Sequence, residues 1–326
     1  MKADRPALYA TVHPGVREYL ADWYASVRAQ TEQGFDLWLG VDGLELCDVK
    51  AAAKADVAAE WVLAADSDSP AAIRQKAIAR IAERYRVVIF ADSDDLLEPT
   101  RIAAAVEALE TCDVVACAMR LIDATGRDLS SAFAPPQGAD WSELLPRGNV
   151  FGLGNSAYRT AILRRCLPIP PDCRLVDWYL ATLAWAMGAK LSFDRACGGA
   201  YRLHSGSMAV IRPPFTAGGI LATTENVLNH YACVLGSAVG LPDSCLNRLE
   251  AARRDVQAFH AAIARDGEML DRYVSALNDL RCDHVWWSCV AHPGLESIWR
   301  DSASRMRRGR TIPVGAKDKS RQHLTP

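Results

Sequence analysis

Residues 86–95 read RVVIFADSDD, and this stretch decides the fold. Val87, Val88, Ile89 and Phe90 are apolar without alternation, the pattern of a strand covered on both faces in a parallel sheet. The strand then breaks into Asp92, Ser93, Asp94 and Asp95. Open α/β sheets bind ligands outside the carboxyl ends of their strands, so these acids fall where a site belongs. Three carboxylates in four residues repel one another, and hard oxygen donors at this density suit Mg2+ or Mn2+ holding a phosphate. A solvated acidic turn leading into the helix after Pro99 explains the same residues, and on this stretch alone both readings stand.

Outward from it, strand and helix patterns alternate about five times. On the N-terminal side are ALYATV (7–12), a helical stripe of Val16, Leu20, Trp23, Tyr24 and Val27, FDLWLGV (35–41), EWVLA (60–64), and a helix opened by Ser69-Pro70 and running to about Tyr85. On the other side come a helix from Arg101 to Leu109 and the strand DVVACAMRLI (113–122). This alternation predicts an α/β fold, with a mostly parallel nucleotide-binding sheet sandwiched by helices. From about 129 to 203 it loosens into short strands (near 190–193 and 199–203), the loop 147–156 and a helix near 177–187. After Pro213-Pro214 only helical striping remains, carried by Leu246, Leu249, Val256, Phe259 and Ile263, then by Leu270, Tyr273, Val274, Leu277 and Leu280. The expected organisation is a catalytic domain over 1–213, a helical extension over 214–310 and a disordered tail over 311–326.

The chain has 326 residues, 50% of them hydrophobic, with a formal charge of -2, so it can bury a core and offers no bulk attraction to nucleic acid. No apolar run reaches the roughly 18–20 residues of a membrane span, and the N-terminus carries no signal-like apolar stretch, which together predict a cytoplasmic protein. Ten scattered Cys fit small apolar core residues in a reducing compartment better than a disulfide framework. Cys282, His284, Cys289 and His292 have loosely metal-like spacing, but no C-x-x-C pair is present and the adjacent Trp286 and Trp287 suggest packing.

In order along the chain, YATVHPGVREYLADWYASVRAQTEQGFDLWLGVDG, IRQKAI, VIFADSDDLLEP, VDWYL and YRLH together resemble a family-two glycosyltransferase of the GT-A fold, over residues 7 to about 207. The resemblance implies inverting transfer from a nucleotide-diphosphate sugar, a UDP-sugar in the first instance, to a hydroxyl on a glycan, lipid-linked or other acceptor. It implies a Mn2+ or Mg2+ cofactor at the D-x-D motif, with Asp94, Asp95 and His204 as its ligands. Thr11, His13, Asp42, Arg74, Asp92, Ser93 and Arg202 would then line the nucleotide sugar, and Asp177 would be the catalytic base. The sequence also departs from the family pattern. His13-Pro14 replaces an aromatic-asparagine pair, Val41-Asp42-Gly43-Leu44 keeps one of two acids, Gln75 replaces an asparagine, and Val176 replaces the glutamate before the base.

Each residue also has a purely structural reading. Asp177 before WYLATLAWA can be a helix N-cap, His204 a satisfied strand-end histidine, and Arg74 part of a solvated helix face. Trp286, Trp287 and Trp299 can stack on sugars but fit helix packing better. Arg305 to Arg308 add a basic patch that would suit a membrane-linked or polymeric acceptor at the inner membrane face. Three other classes compete. A haloacid-dehalogenase-like phosphatase lacks its D-x-D-G continuation here, a nucleotidyltransferase lacks its Gly-rich basic loop, and a non-catalytic glycan- or nucleotide-binding relative would share the fold with a degenerate site.

Overall fold

The structure, a computed structural model, describes residues 4–280 and 285–300. The elements in chain order are β1 (Ala7–Val12), α1 (Leu20–Arg28), β2 (Asp36–Val41), α2 (Leu46–Ala53), β3 (Glu60–Leu63), α3 (Pro70–Arg84), β4 (Val87–Phe90), β5 (Leu96–Leu97), α4 (Arg101–Ala108), β6 (Val114–Asp123), β7 (Asp128–Phe133), α5 (Trp141–Leu144), β8 (Ser156–Arg159), α6 (Thr160–Cys166), α7 (Val176–Ala186), β9 (Leu191–Leu203), α8 (Ala217–Leu235), α9 (Asp243–Ile263) and α10 (Gly267–Asp279). Ser69 starts α3 as expected, its hydroxyl accepting the N–H of Ala72 at 3.1 Å, with Pro70 in the first turn where no N–H is needed.

The strands form one sheet in the order β3-β2-β1-β4-β8-β6-β9-β5, with β7 beside β6. β3, β2, β1 and β4 are mutually parallel, in agreement with the alternating pattern. β8 then runs antiparallel to both β4 and β6, and β6 and β9 pair in parallel over their whole length. The two strands expected near 190–193 and 199–203 are therefore one long strand, bulged where Cys117 to Met119 face Asp194 to Gly199. A helix at α2 and the short β5 and β7 add to the expected elements.

Each face of the sheet has its own core. One is built by Leu8, Ala10, Leu39 and Ile89 against Trp23, Val27, Val49 and Ile102 of α1, α2 and α4. The other packs Tyr9, Val88, Phe90 and Tyr158 against α3, α6 and α7, and continues without a break into Val227, Tyr231, Phe259, Tyr273 and Trp299 beyond Pro213. The helical extension thus shares a core with α7: the Trp178 and His230 rings stack at 3.8 Å and 6°, and the Tyr231 hydroxyl donates to the Pro146 carbonyl at 2.7 Å. No helix among the described residues is long and apolar enough to cross a membrane. The proposed tail over 311–326 and the Arg305 to Arg308 patch lie outside the described residues.

Candidate active site

Strands β1, β2 and β4 end side by side, so parallel pairing brings the segments that follow them to one edge. Thr11 and His13 close β1, Asp42 follows β2, and Asp92 to Asp95 follow β4. The Ser93 hydroxyl donates to the Thr11 carbonyl at 2.7 Å and ties the acidic turn to β1. Ser93 is buried, which makes it a strut of the turn. His13 starts a short 3-10 turn with Nδ1 accepting from the Gly15 N–H. Burial holds its pKa below the usual value; Asp94 opposes that shift, Arg74 adds to it, and Asp42 and His204 act more weakly, so all four face it.

The three carboxylates have separate surroundings. Asp94 Oδ2 lies 2.9 Å from His204 Nε2, both partly open to solvent. Asp95 is 1% exposed; its Oδ1 accepts the backbone N–H of Arg202 at 2.8 Å and its Oδ2 has no partner among the described residues. Burial, then the charges of Asp94 and Asp92, push the Asp95 carboxyl well above the usual range. Asp92 accepts the N–H of Gly154, and burial and Asp94 raise its pKa to about 7 against the opposing charge of Arg74. Gly154 is required here, since a Cβ would lie 2.8 Å from Asp95 Oδ2 and 2.9 Å from Asp92 Oδ2.

The charge of Arg74 on α3 lowers the pKa of Asp92, Asp177, His13 and Tyr9, and its buried Nε has no hydrogen-bond partner among the described residues. Arg202 is turned into the protein, where Nε donates to the Asp94 carbonyl at 2.7 Å, one terminal nitrogen donates to the Ala124 carbonyl at 3.2 Å, and the guanidinium lies 4.8 Å from the Tyr19 ring. At 2% exposed it braces the backbone of the acidic turn, instead of reaching into the open site as the sequence suggests.

Asp177 lies in the first turn of α7, whose N-cap is Leu175, so it does not occupy the capping position. Its Oδ2 accepts from Asn149 Nδ2 at 2.9 Å and its carboxylate accepts the Trp178 N–H. Burial raises its pKa, with these bonds and Arg74 opposing. Asn149 and Gly154 are the site residues that the sequence reading missed. Both come from the loop 147–156, whose sequence singles out neither residue.

Among the described residues, no three His, Cys, Asp or Glu side chains converge on one point as a ready metal cage. The donor set still fits a hard divalent cation delivered with a diphosphate, because such ions take one or two carboxylates and complete their shell with phosphate and water. The orphan Asp95 oxygen and the mutual repulsion that lifts Asp92 and Asp95 are what a nearby cation would relieve. In the C-terminal cluster, Cys282 and His284 lie outside the described residues, Cys289 is buried, and His292 Nδ1 accepts the Gly294 N–H. Trp286, Trp287 and Trp299 are 6%, 5% and 1% exposed and serve packing.

No protein-family model matches the chain, and no curated protein matches it. The fold does match solved structures. The mannosyltransferase PcManGT from Pyrobaculum calidifontis, in complex with GDP-Man and Mn2+, aligns with a TM-score of 0.55 at 14% identity, over 94% of this chain and 88% of that one. S. aureus TarS 1-349 in complex with UDP-GlcNAc aligns with a TM-score of 0.53 at 13% identity, over 94% and 92%. The same TarS segment in complex with UDP gives a TM-score of 0.51 over 96% and 94%. At these identities the likeness shows a shared fold that spans nearly the whole described chain, helical region included.

Proposed function

We propose that this protein is a glycosyltransferase that moves a sugar from a nucleotide-diphosphate sugar to an acceptor hydroxyl with inversion. The observation that carries the reading is the convergence of Asp92, Asp94, His204, Arg74 and Asp177 at the carboxyl edge of a sheet shared with proteins solved as GDP-Man and UDP-GlcNAc complexes. Thr11, His13 and Asp42 would border the nucleotide, as the segments that end β1 and β2. Arg74 would face the diphosphate. Asp94 and His204 would hold Mn2+ or Mg2+, with Asp95 beneath them, and the bound ion would offset the negative charge of the diphosphate.

In this reading Asp177 accepts the proton of the acceptor hydroxyl as it attacks the anomeric carbon on the face opposite the nucleotide. One displacement inverts that carbon. The raised pKa of Asp177 suits a carboxylate that must take up a proton, because burial makes it a stronger base. Partial burial excludes water, which strengthens the fixed charges around the leaving group.

The test is a thermal-shift screen of UDP, GDP, dTDP and CMP sugars, each with and without Mn2+. Binding raises the apparent Tm by mass action, so a sugar nucleotide that stabilises only with Mn2+ is the expected outcome. A flat response to all of them, or release of inorganic phosphate from a simple phosphomonoester, would overturn the reading.

A further inference from the structure

We propose that Asn149 is the positioning residue for Asp177, and that Trp286 of the C-terminal segment is the latch that holds Asn149 in place. The inference deepens the glycosyltransferase reading and rests on Asp177 being its base. It gives the helical extension a part in the chemistry that requires no contact with an acceptor.

Asn149 is fully buried and both polar atoms of its side chain are hydrogen-bonded. Its Oδ1 accepts the Phe151 N–H at 3.0 Å, which fixes the amide so that Nδ2 faces the Phe151 carbonyl at 3.3 Å and Asp177 Oδ2 at 2.9 Å. The amide thus donates to the carboxylate, a bond that favours the ionised form and sets the plane of its two oxygens. The groups that face Asp177 are Arg74 of α3, Asp92 after β4, Tyr158 of β8 and Cys173 just before α7. Arg74 is the cation among them, and Asn149 is the neutral side chain that donates to the carboxylate.

Asn149 is in turn held from the C-terminal side. Its backbone N–H donates to the Trp286 carbonyl at 3.0 Å in an isolated antiparallel bridge. The Trp286 ring fills the space beside Gly152, where a Cβ would fall 2.7 Å from the indole, and packs 3.9 Å from the Phe133 ring. It also meets the Tyr201 ring edge-on, with centroids 5.9 Å apart, one residue before the Arg202 that braces the acidic turn. Residues 148–155 are therefore pinned at Asn149 and Gly152 by one tryptophan, and present Asn149 to Asp177 and Gly154 to Asp92.

The test compares wild type, Asn149→Ala, Asp177→Asn, the double variant and Trp286→Leu, using Mn2+-dependent nucleotide release from a panel of UDP- and GDP-sugars. Misplacement of a reacting group by about 1 Å can cost up to about 10²-fold, so Asn149→Ala is expected to lower kcat by about 10- to 100-fold with donor KM unchanged. The acidic limb of its pH profile should move to higher pH, and the loss should vanish in the Asp177→Asn background. Trp286→Leu should show the same signature at smaller scale. A carboxyl 13C titration of Asp177 in ligand-free protein should show a higher pKa in Asn149→Ala than in wild type. If Asn149→Ala does not fold, Asn149→Asp keeps the shape, removes the donor and carries the same expectations. Equal losses in both backgrounds, a loss confined to KM, or an unmoved Asp177 titration would overturn the positioning role. Full turnover by Trp286→Leu would remove the latch. Full turnover by Asp177→Asn alone would overturn the base assignment, and it is visible without any Asn149 variant.

Discussion

The two ends of the candidate site are held by different means. The acidic turn, Asp92 to Asp95, is braced by groups from the sheet: Ser93 on the Thr11 carbonyl, and Arg202 of β9 on the Asp94 carbonyl and, through its own N–H, on the Asp95 carboxylate. Asp177 is braced from outside the sheet, by Asn149 on a loop that Trp286 pins and by a helix whose Trp178 stacks on His230 of α8. The acidic turn, the donor end of the proposed reading, therefore depends mainly on the strands, and Asp177, its base end, depends on the C-terminal region.

The largest expected effect tests that division directly. A truncation at residue 213 removes Val227, Tyr231, Phe259, Tyr273 and Trp299 from a core that includes α7, and strips Trp178 of its stacking partner. Five buried aromatic and aliphatic side chains are lost, at about 1.5–3 kcal/mol each, a sum comparable to a typical domain's whole net stability. The truncated chain should be insoluble, as measured by soluble yield and circular dichroism. A soluble 1–213 that binds sugar nucleotide normally would show that the sheet stands alone.

At the donor end, Asp94→Ala should abolish Mn2+-dependent nucleotide binding while the melting curve of the free protein stays close to wild type, because Asp94 is partly open and its lost partner is the His204 ring. Calorimetry with and without Mn2+ checks it. Undiminished metal-dependent binding would place the cation elsewhere. At the base end, Asp177→Asn keeps the shape of the side chain but cannot accept a proton. Turnover should fall by about 10²-fold or more with donor affinity retained. Loss of donor affinity in this variant would join the two ends that the geometry separates.

The same division explains what was legible in the sequence. The apolar run 87–90 and the acids behind it are contiguous, so period and composition locate the strand, the turn and the sheet edge together. Asp177 and His204 were reachable only through the resemblance that VDWYL and YRLH carry. Asn149 and Gly154 carry no local signal, because what selects them is a carboxylate from another part of the chain. Arg202 was assigned outward from its neighbours, and only the backbone carbonyls of Asp94 and Ala124 turn it inward. β9 read as two strands because Asp194 and Arg195 interrupt its apolar pattern at the bulge. α2 was missed because only Val49 and Ala53 of it are buried, although the Glu45 and Asp48 capping box was there to be read.

The smallest expected effect concerns how tightly the base end depends on α8. His230 is fully buried, stacked on Trp178, and neither ring nitrogen has a hydrogen-bond partner among the described residues. Burial depresses its pKa to about 3, whereas an unfolded chain titrates histidine near pH 6.5. Below about pH 6.5 the unfolded state takes up a proton that the native state refuses, so this contribution to stability is complete above pH 6.5 and declines as pH falls toward 3. At about 1.4 kcal/mol per pH unit, the decline from pH 7 to pH 5 is about 2 kcal/mol. His230→Phe keeps a stacked ring and removes the titrating group. Acids raised by burial, Asp177 and Asp92 among them, shift stability the other way in both proteins and cancel in the difference. Urea unfolding at pH 7 and pH 5 should therefore show a fall in wild type that is smaller by about 2 kcal/mol in His230→Phe. Identical pH dependence in the two proteins would mean that His230 is protonated or solvated in the folded state, and that the contact between α7 and α8 is looser than the 3.8 Å stack implies.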